Sequence, residues 1–137
     1  MGWPEMRILV DTDVLLDFAL GREPFASGGK GVISWAEANS GHAAIAWHSL
    51  SNVVCLAPFG ARHFLQELLR FVEVPATGTV EAVRALHLPM SDLEDAFQAS
   101  AALAFDADLV ITRNTKDYRH SPVPAITPEE FLVKISP

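Results

Sequence analysis

A chain of 137 residues suits one folded domain and is long enough to bury a substantial core. Half of its residues are apolar and its mean hydropathy is positive, which excludes a disordered chain, and its single cysteine excludes an internal disulfide and suits a reducing cytoplasm. The net charge of −7 argues against a generic nucleic-acid coat, yet leaves room for an enzyme acting on nucleic acid, because acids gathered to bind a metal count toward that sum. No apolar run reaches membrane-spanning length, so no membrane association is expected. Met1–Met6 lacks the basic and apolar regions of a signal peptide, and residues 1–5 read as a flexible extension outside the fold.

The first element is Ile8-Leu9-Val10, a continuous apolar run of the kind found in central parallel strands. It stops at Asp11, which would stand at the carboxyl end of the strand, where open α/β sheets bind ligands. Capping of the next helix is the competing role for this acid. Val14, Leu15, Phe18 and Ala19 then form one face of a short helix that Gly21 can end. Asp13 and Asp17 share the other face, and for Asp17 a solvated helix side is expected. A second helix is expected through Val32, Ile33, Ala36 and Glu37, followed by turn chemistry at Asn39–His42.

Ala43–Trp47 reads as a second buried strand. A helix over His48–Ala57 follows, with Ser49 as its cap and His48 and Asn52 on one face. Ala61–Phe71 is amphipathic, with Phe64, Leu65, Leu68 and Leu69 on its apolar side. Val72–Val74 is a short edge strand, and Thr77 is expected to cap a helix through Val80, Val83 and Leu86.

Ser91 and Glu94 have the spacing of a capping box, which opens a helix whose core side is Phe97, Ala101 and Phe105. Asp92 and Glu94 suit the helix dipole of a first turn. Asp95 is harder to assign to capping, because it stands among small and apolar residues. Asp108–Thr112 is the next strand, ending in the polar run Arg113-Asn114-Thr115-Lys116-Asp117-Tyr118, where local positive charge interrupts the acidic average. Val123–Ile126 reads as a last strand, at an edge because of Pro124. Thr127 and Glu130 make a second capping box, with Pro128 at the first helical position. Strands alternating with helices predict an α/β/α sandwich with a mainly parallel sheet of four or five strands.

Asp11, Asp95 and Asp117 come from three separate segments, and Asp11 and Asp117 lie just past parallel strands. Carboxylates brought together repel, so a cation must neutralise them. Oxygen ligands without a Cys or His cluster select Mg²⁺ or Mn²⁺, which suits hydrolysis of phosphodiester bonds. Arg113 and Lys116, on either side of Asn114, are placed to meet flanking phosphates.

Four stretches resemble PIN-domain nucleases, above all the toxins of VapBC-type toxin–antitoxin pairs: Ile8–Asp17, Trp47–Ala57, Ser91–Ala104 and Asp108–Tyr118. The resemblance implies a PIN-like fold, a metal-dependent endoribonuclease, a cognate antitoxin as partner and a homodimer. It also implies a site in which Asp11, Asp95 and Asp117 hold the metal, Asp13, Asn52, Asp92 and Asn114 are further ligand or supporting candidates, and Arg113 and Lys116 meet RNA phosphates. One departure stands out. The family's second acid, a Glu on the helix after the second strand, has no counterpart, and Asn52 occupies its place. An inactive PIN scaffold that binds RNA or protein is therefore the main alternative. The Asp11-Thr12-Asp13 opening is also similar to haloacid-dehalogenase phosphatases, but Lys116 comes too late in the chain for their mechanism. A receiver-like switch lacks its acceptor Asp after the third strand.

Overall fold

The computed structural model describes residues 5–137. Apart from Glu5, the extension expected at residues 1–5 therefore lies outside the described residues. Five strands, β1 (Ile8–Val10), β2 (Ala43–Ala44), β3 (Val72–Glu73), β4 (Leu109–Ile111) and β5 (Ala125–Ile126), form one all-parallel sheet in the order β3-β2-β1-β4-β5. Seven helices flank it among the described residues: α1 (Thr12–Leu20), α2 (Ala26–Ala38), α3 (Trp47–Leu56), α4 (Ala61–Leu68), α5 (Thr79–Leu86), α6 (Leu93–Ala104) and α7 (Pro128–Ile135). The predicted sandwich and its strand number are both found. No helix among the described residues is long and apolar enough to cross a membrane.

Strand periodicity divides the core. Ile8 and Val10 of β1 face one side, where Leu15, Val32, Ile33, Val53, Leu68 and Phe131 pack from α1, α2, α3, α4 and α7. Leu9 faces the other side with Ala101, Ala102 and Phe105 of α6. Phe64, Leu65 and Leu68 pack into the first of these cores, so the apolar stripe of α4 belongs mainly to the interior. Burying Ile8, Leu9 and Val10 completely contributes about 1.5–3 kcal/mol each.

The strand order sets the place of the site. From β1 the chain steps outward to β2 and β3, then returns to lay β4 and β5 on the opposite side of β1. The order reverses between β1 and β4. Helices connecting such strands leave a crevice beyond their carboxyl ends at that point.

Several element ends differ from expectation, each for a local reason. The Ile45 N–H still bonds the Glu73 carbonyl of β3 at 2.9 Å, but β2 itself ends at Ala44 and Trp47 already opens α3, although Ala43 to Ala46 are buried. Ser49 does not cap α3. It lies inside the helix, fully buried, while extended Ala46 takes the cap position. The α5 cap is Gly78 rather than Thr77, and its N–H is met by the Glu81 carboxylate at 2.7 Å. In α6 the cap moves one residue on from Ser91. Asp92 accepts from the Asp95 N–H at 3.0 Å, which outcompetes the predicted Ser91–Glu94 box. The Thr127–Glu130 box forms as expected, with Pro128 at the first turn.

Candidate functional site

Asp11 closes β1 and caps α1 at once. By the same periodicity that turns Leu9 toward α6, Asp11 faces that side too. One carboxylate oxygen accepts from the Thr12 N–H at 2.7 Å. The other accepts from the Thr112 hydroxyl at 2.8 Å and the Tyr118 phenol at 3.0 Å. Thr112 follows β4, and Tyr118 ends a 3₁₀ turn over Thr115–Tyr118, so three segments converge on one acid. Burial pushes the Asp11 carboxyl above its ordinary pKa, and these hydrogen bonds oppose that rise only in part.

Asp95 enters from the first turn of α6. The Tyr118 hydroxyl that touches Asp11 also lies 3.4 Å from Asp95 Oδ1. One phenol thus links the two carboxylates. Asp95 is pushed up to about 7, first by burial, then by the charges of Asp11, Asp92 and Asp117. Burial and the Asp11 charge similarly raise Asp13 to about 6. Asp13 Oδ2 accepts from the Arg113 N–H at 3.2 Å and the Asn114 amide at 3.4 Å. Asp13 Oδ1 is buried and has no partner among the described residues.

These acids line a cleft of about 300 Å³ at the carboxyl ends of β1 and β4, together with Thr12, Arg22, Asn52, Glu94, Arg113 and Asn114. Of the candidates named from sequence, the structure brings Asp11, Asp13, Asp95, Asn52, Asn114 and Arg113 to this cleft. Asp117 is exposed on the 3₁₀ turn and does not line it, although its charge reaches Asp95. Asp92 is occupied as the α6 cap, and Lys116 lies exposed away from the cleft walls.

The donor set suits a hard divalent cation in kind. It offers carboxylate and amide oxygens, no sulfur, an orphaned buried oxygen on Asp13, and two acids, Asp13 and Asp95, raised by burial and then by the Asp11 charge. In spacing, no three His, Cys, Asp or Glu side chains among the described residues are yet grouped to hold an ion.

Asp17 corrects the sequence reading. It is not on a solvated helix side but 1% exposed, and it binds Arg113 at 2.6 Å and Arg22 at 3.0 Å. The Arg113 guanidinium also lies over the Phe25 ring, 4.1 Å from its centroid. Breaking a buried pair strands the remaining charges, so Asp17→Asn is expected to destabilise the fold by about 2–4 kcal/mol in urea unfolding. An unchanged midpoint would show that the two arginines find water instead.

Behind the cleft lies a buried polar knot. The Gln98 amide nitrogen sits 3.1 Å from the hydroxyls of both Thr12 and Ser49, which are themselves 2.7 Å apart, and 3.2 Å from His48 Nε2. It ties α1, α3 and α6 together beneath the acids. Burial lowers the His48 pKa, consistent with a neutral ring. Sequence reasoning did not single out Gln98, Thr112 or Tyr118. The available signals were a lone amide three residues after Asp95 in an alanine-rich helix, and hydroxyls just past β4.

Comparison with known proteins supplies a context. The sequence matches the PIN domain family over residues 7–116. Its fold is similar to a toxin–antitoxin complex from Klebsiella pneumoniae, at 25% identity and a TM-score of 0.66, covering 88% of this chain and 97% of that one. It is also similar to VapBC2 from Rickettsia felis bound to a promoter DNA fragment, at 15% identity and a TM-score of 0.66, covering 89% and 98%. VapBC-1 from nontypeable Haemophilus influenzae shares the fold at 13% identity and a TM-score of 0.62, covering 90% and 99%. A comparison with curated protein sequences returns no match. The family match spans well over half of the chain and includes both strands that carry the acidic cleft, and on that ground this chain belongs to the PIN-domain family.

Proposed function

We propose that the whole chain acts as one PIN unit and is a Mg²⁺- or Mn²⁺-dependent endoribonuclease, the toxin of a type II toxin–antitoxin pair. The observation that carries this reading is the convergence of Asp11, Asp13 and Asp95 on one cleft, with Asp13 and Asp95 raised to about 6 and about 7. Acids held at such cost fit a place where a cation compensates them. Asp11, Asp13 and Asp95 would hold the ion, with Asn52, Glu94 and Asn114 within the same cleft. When bound, the ion would activate water and stabilise charge on the leaving oxygen of an RNA phosphodiester. Tyr118 and Thr112 keep Asp11 oriented, while Asp17 holds the Arg113 side chain at the cleft wall. Lys116 and Asp117, on the adjacent exposed turn, are placed to meet RNA backbone and approaching cation respectively.

The relatives are structures of toxin–antitoxin complexes, which supports a small antitoxin as the partner of this chain. An acidic cleft invites a basic side chain from such a partner. A cytoplasmic homodimer is part of the same reading.

The test is cleavage of single-stranded RNA in Mn²⁺ or Mg²⁺. Wild type is expected to cut and Asp11→Asn to lose at least a hundredfold in rate, because Asp11 faces the reacting centre from β1. Asn52 in place of the family's Glu favours one alternative, a scaffold that binds without cutting. Folded wild type that binds Mn²⁺ and RNA yet cleaves neither faster nor slower than Asp11→Asn would establish that alternative.

A further inference from the structure

The acidic cleft has a neighbour. A second cavity, of about 250 Å³, opens between the starts of α3 and α5 and the middle of α6, lined by Trp47, His48, Gly78, Glu81, Phe97 and Ser100 among others. Trp47 stands on its rim, 70% exposed to water. Within it, the His48 ring packs edge-on against Phe97, with centroids 6.1 Å apart. The walls are firmly tied. The Ser100 hydroxyl donates to the Glu81 carbonyl at 2.7 Å, joining α6 to α5. Glu81 lines the cavity, with its Oε1 accepting the Gly78 N–H. No lysine or arginine lines the cavity, so it is not built for a phosphate.

The two cavities share structure. His48 lines this one and touches Gln98, whose amide also meets Thr12 in the wall of the acidic cleft. Asn52 lies one turn further along α3 and lines the acidic cleft, as do Glu94 and Asp95 at the start of α6, just before Phe97. One helical turn is about 5.4 Å, a step on the scale of one nucleotide. A strand whose phosphate lies among the acids would therefore bring a base to this cavity.

We propose that the cavity holds one unpaired nucleobase of the RNA, stacked on Trp47 with its amino edge toward Glu81. The inference rests on the nuclease reading and names the part of the substrate that gives it sequence preference. Single-stranded RNA is recognised through splayed bases stacked on aromatic side chains. A carboxylate oxygen accepts from the exocyclic amine of adenine, cytosine or guanine. Uracil has no such amine and offers only its N3–H, flanked on both sides by carbonyl oxygens that the carboxylate repels.

The experiment measures binding of fluorescein-labelled short single strands of uridine, and of the same strand with one central adenosine, cytidine or guanosine. It is run in Ca²⁺, which supplies the charge without the octahedral geometry that Mg²⁺ demands. Cleavage of the same strands is followed separately in Mn²⁺. Wild type is expected to favour the strands bearing an amino base. Trp47→Ala is expected to bind them about tenfold more weakly, within the range for one stacked base, and Trp47→Phe to recover most of that loss. Glu81→Gln is expected to erase the preference over uridine, and Phe59→Ala, at an exposed aromatic outside the cavity, to change nothing. Far-UV circular dichroism checks that each variant is folded.

If Trp47→Ala binds and cleaves like wild type, the base pocket is wrong and the nuclease stands. If binding depends on Trp47 but no strand is cut in Mn²⁺, the pocket stands and the nuclease reading fails. Equal binding of all strands by wild type, or no binding at all, overturns the pocket.

Discussion

Asp95→Asn is expected to abolish cleavage while raising the stability of the metal-free protein. Asp95 meets the Asp11 site through the Tyr118 hydroxyl, so an amide there removes a ligand charge without disturbing the α6 cap, which uses the Asp95 backbone N–H. Its carboxyl is raised from 3.8 to about 7 in the fold. Between those values the folded chain keeps a proton that the unfolded chain has lost. Wild-type stability contributed by this group therefore falls as pH rises through that window and stays low above it. The variant does not titrate there. The difference in midpoint between variant and wild type should thus be near zero below about pH 4 and largest above about pH 7. Asp95 is only partly buried, so water screens much of the effect, and about 1 kcal/mol, or roughly 3–6 °C, is the expected gain. Mn²⁺ should reverse the order, since it stabilises wild type through binding and the variant far less. A variant that loses stability at neutral pH would mean that Asp95 serves the fold rather than an ion.

Asn52→Glu is expected to act in the opposite sense. Asn52 lines the acidic cleft from α3 at the place where the family's second acid is absent. Adding a carboxylate there supplies a further charge beside Asp11, Asp13, Glu94 and Asp95, so Mn²⁺ affinity should rise about tenfold and cleavage with it. The metal-free protein should become less stable by about 1 kcal/mol, because the new charge joins those already crowded. Both effects are read in one metal titration followed by thermal unfolding. Tighter binding without faster cleavage would show that Asn52 is suited to the native reaction as it stands.

Much of the scaffold was legible because burial on both faces writes a continuous apolar run, as in Ile8–Val10 and Leu109–Ile111. Asp11 and Asp95 could be picked out because each breaks a pattern, one ending a strand and the other standing among alanines. Asp17 was misread because its partners lie far along the chain. Helical spacing places it away from the α1 core stripe, and only the fold brings Arg113 to it. The shift of the α6 cap from Ser91 to Asp92 is a competition between adjacent residues that can each meet a backbone N–H of the first turn, and Asp92 meets that of Asp95. Asp117 shows the limit of reasoning from strand ends. The 3₁₀ turn after β4 presents Tyr118 inward and leaves Asp117 on the surface, a choice set by which side chain can fill the space over Asp11.

The geometry also joins stability to function. Gln98, Thr12 and Ser49 hold α1, α3 and α6 at fixed separation directly beneath the acids. The groups that would bind an ion thus rest on a buried polar network rather than on loops, which suits a site where small displacements matter.

A crystal of the protein soaked in Mn²⁺ and measured at the manganese absorption edge addresses the central proposal most directly. An anomalous peak within about 2.5 Å of oxygens from Asp11, Asp13 or Asp95 is the expected result. No peak in the cleft, with Asp13 and Asp95 still unpaired at neutral pH and saturating Mn²⁺, would contradict the idea that a divalent ion is what these acids are gathered for.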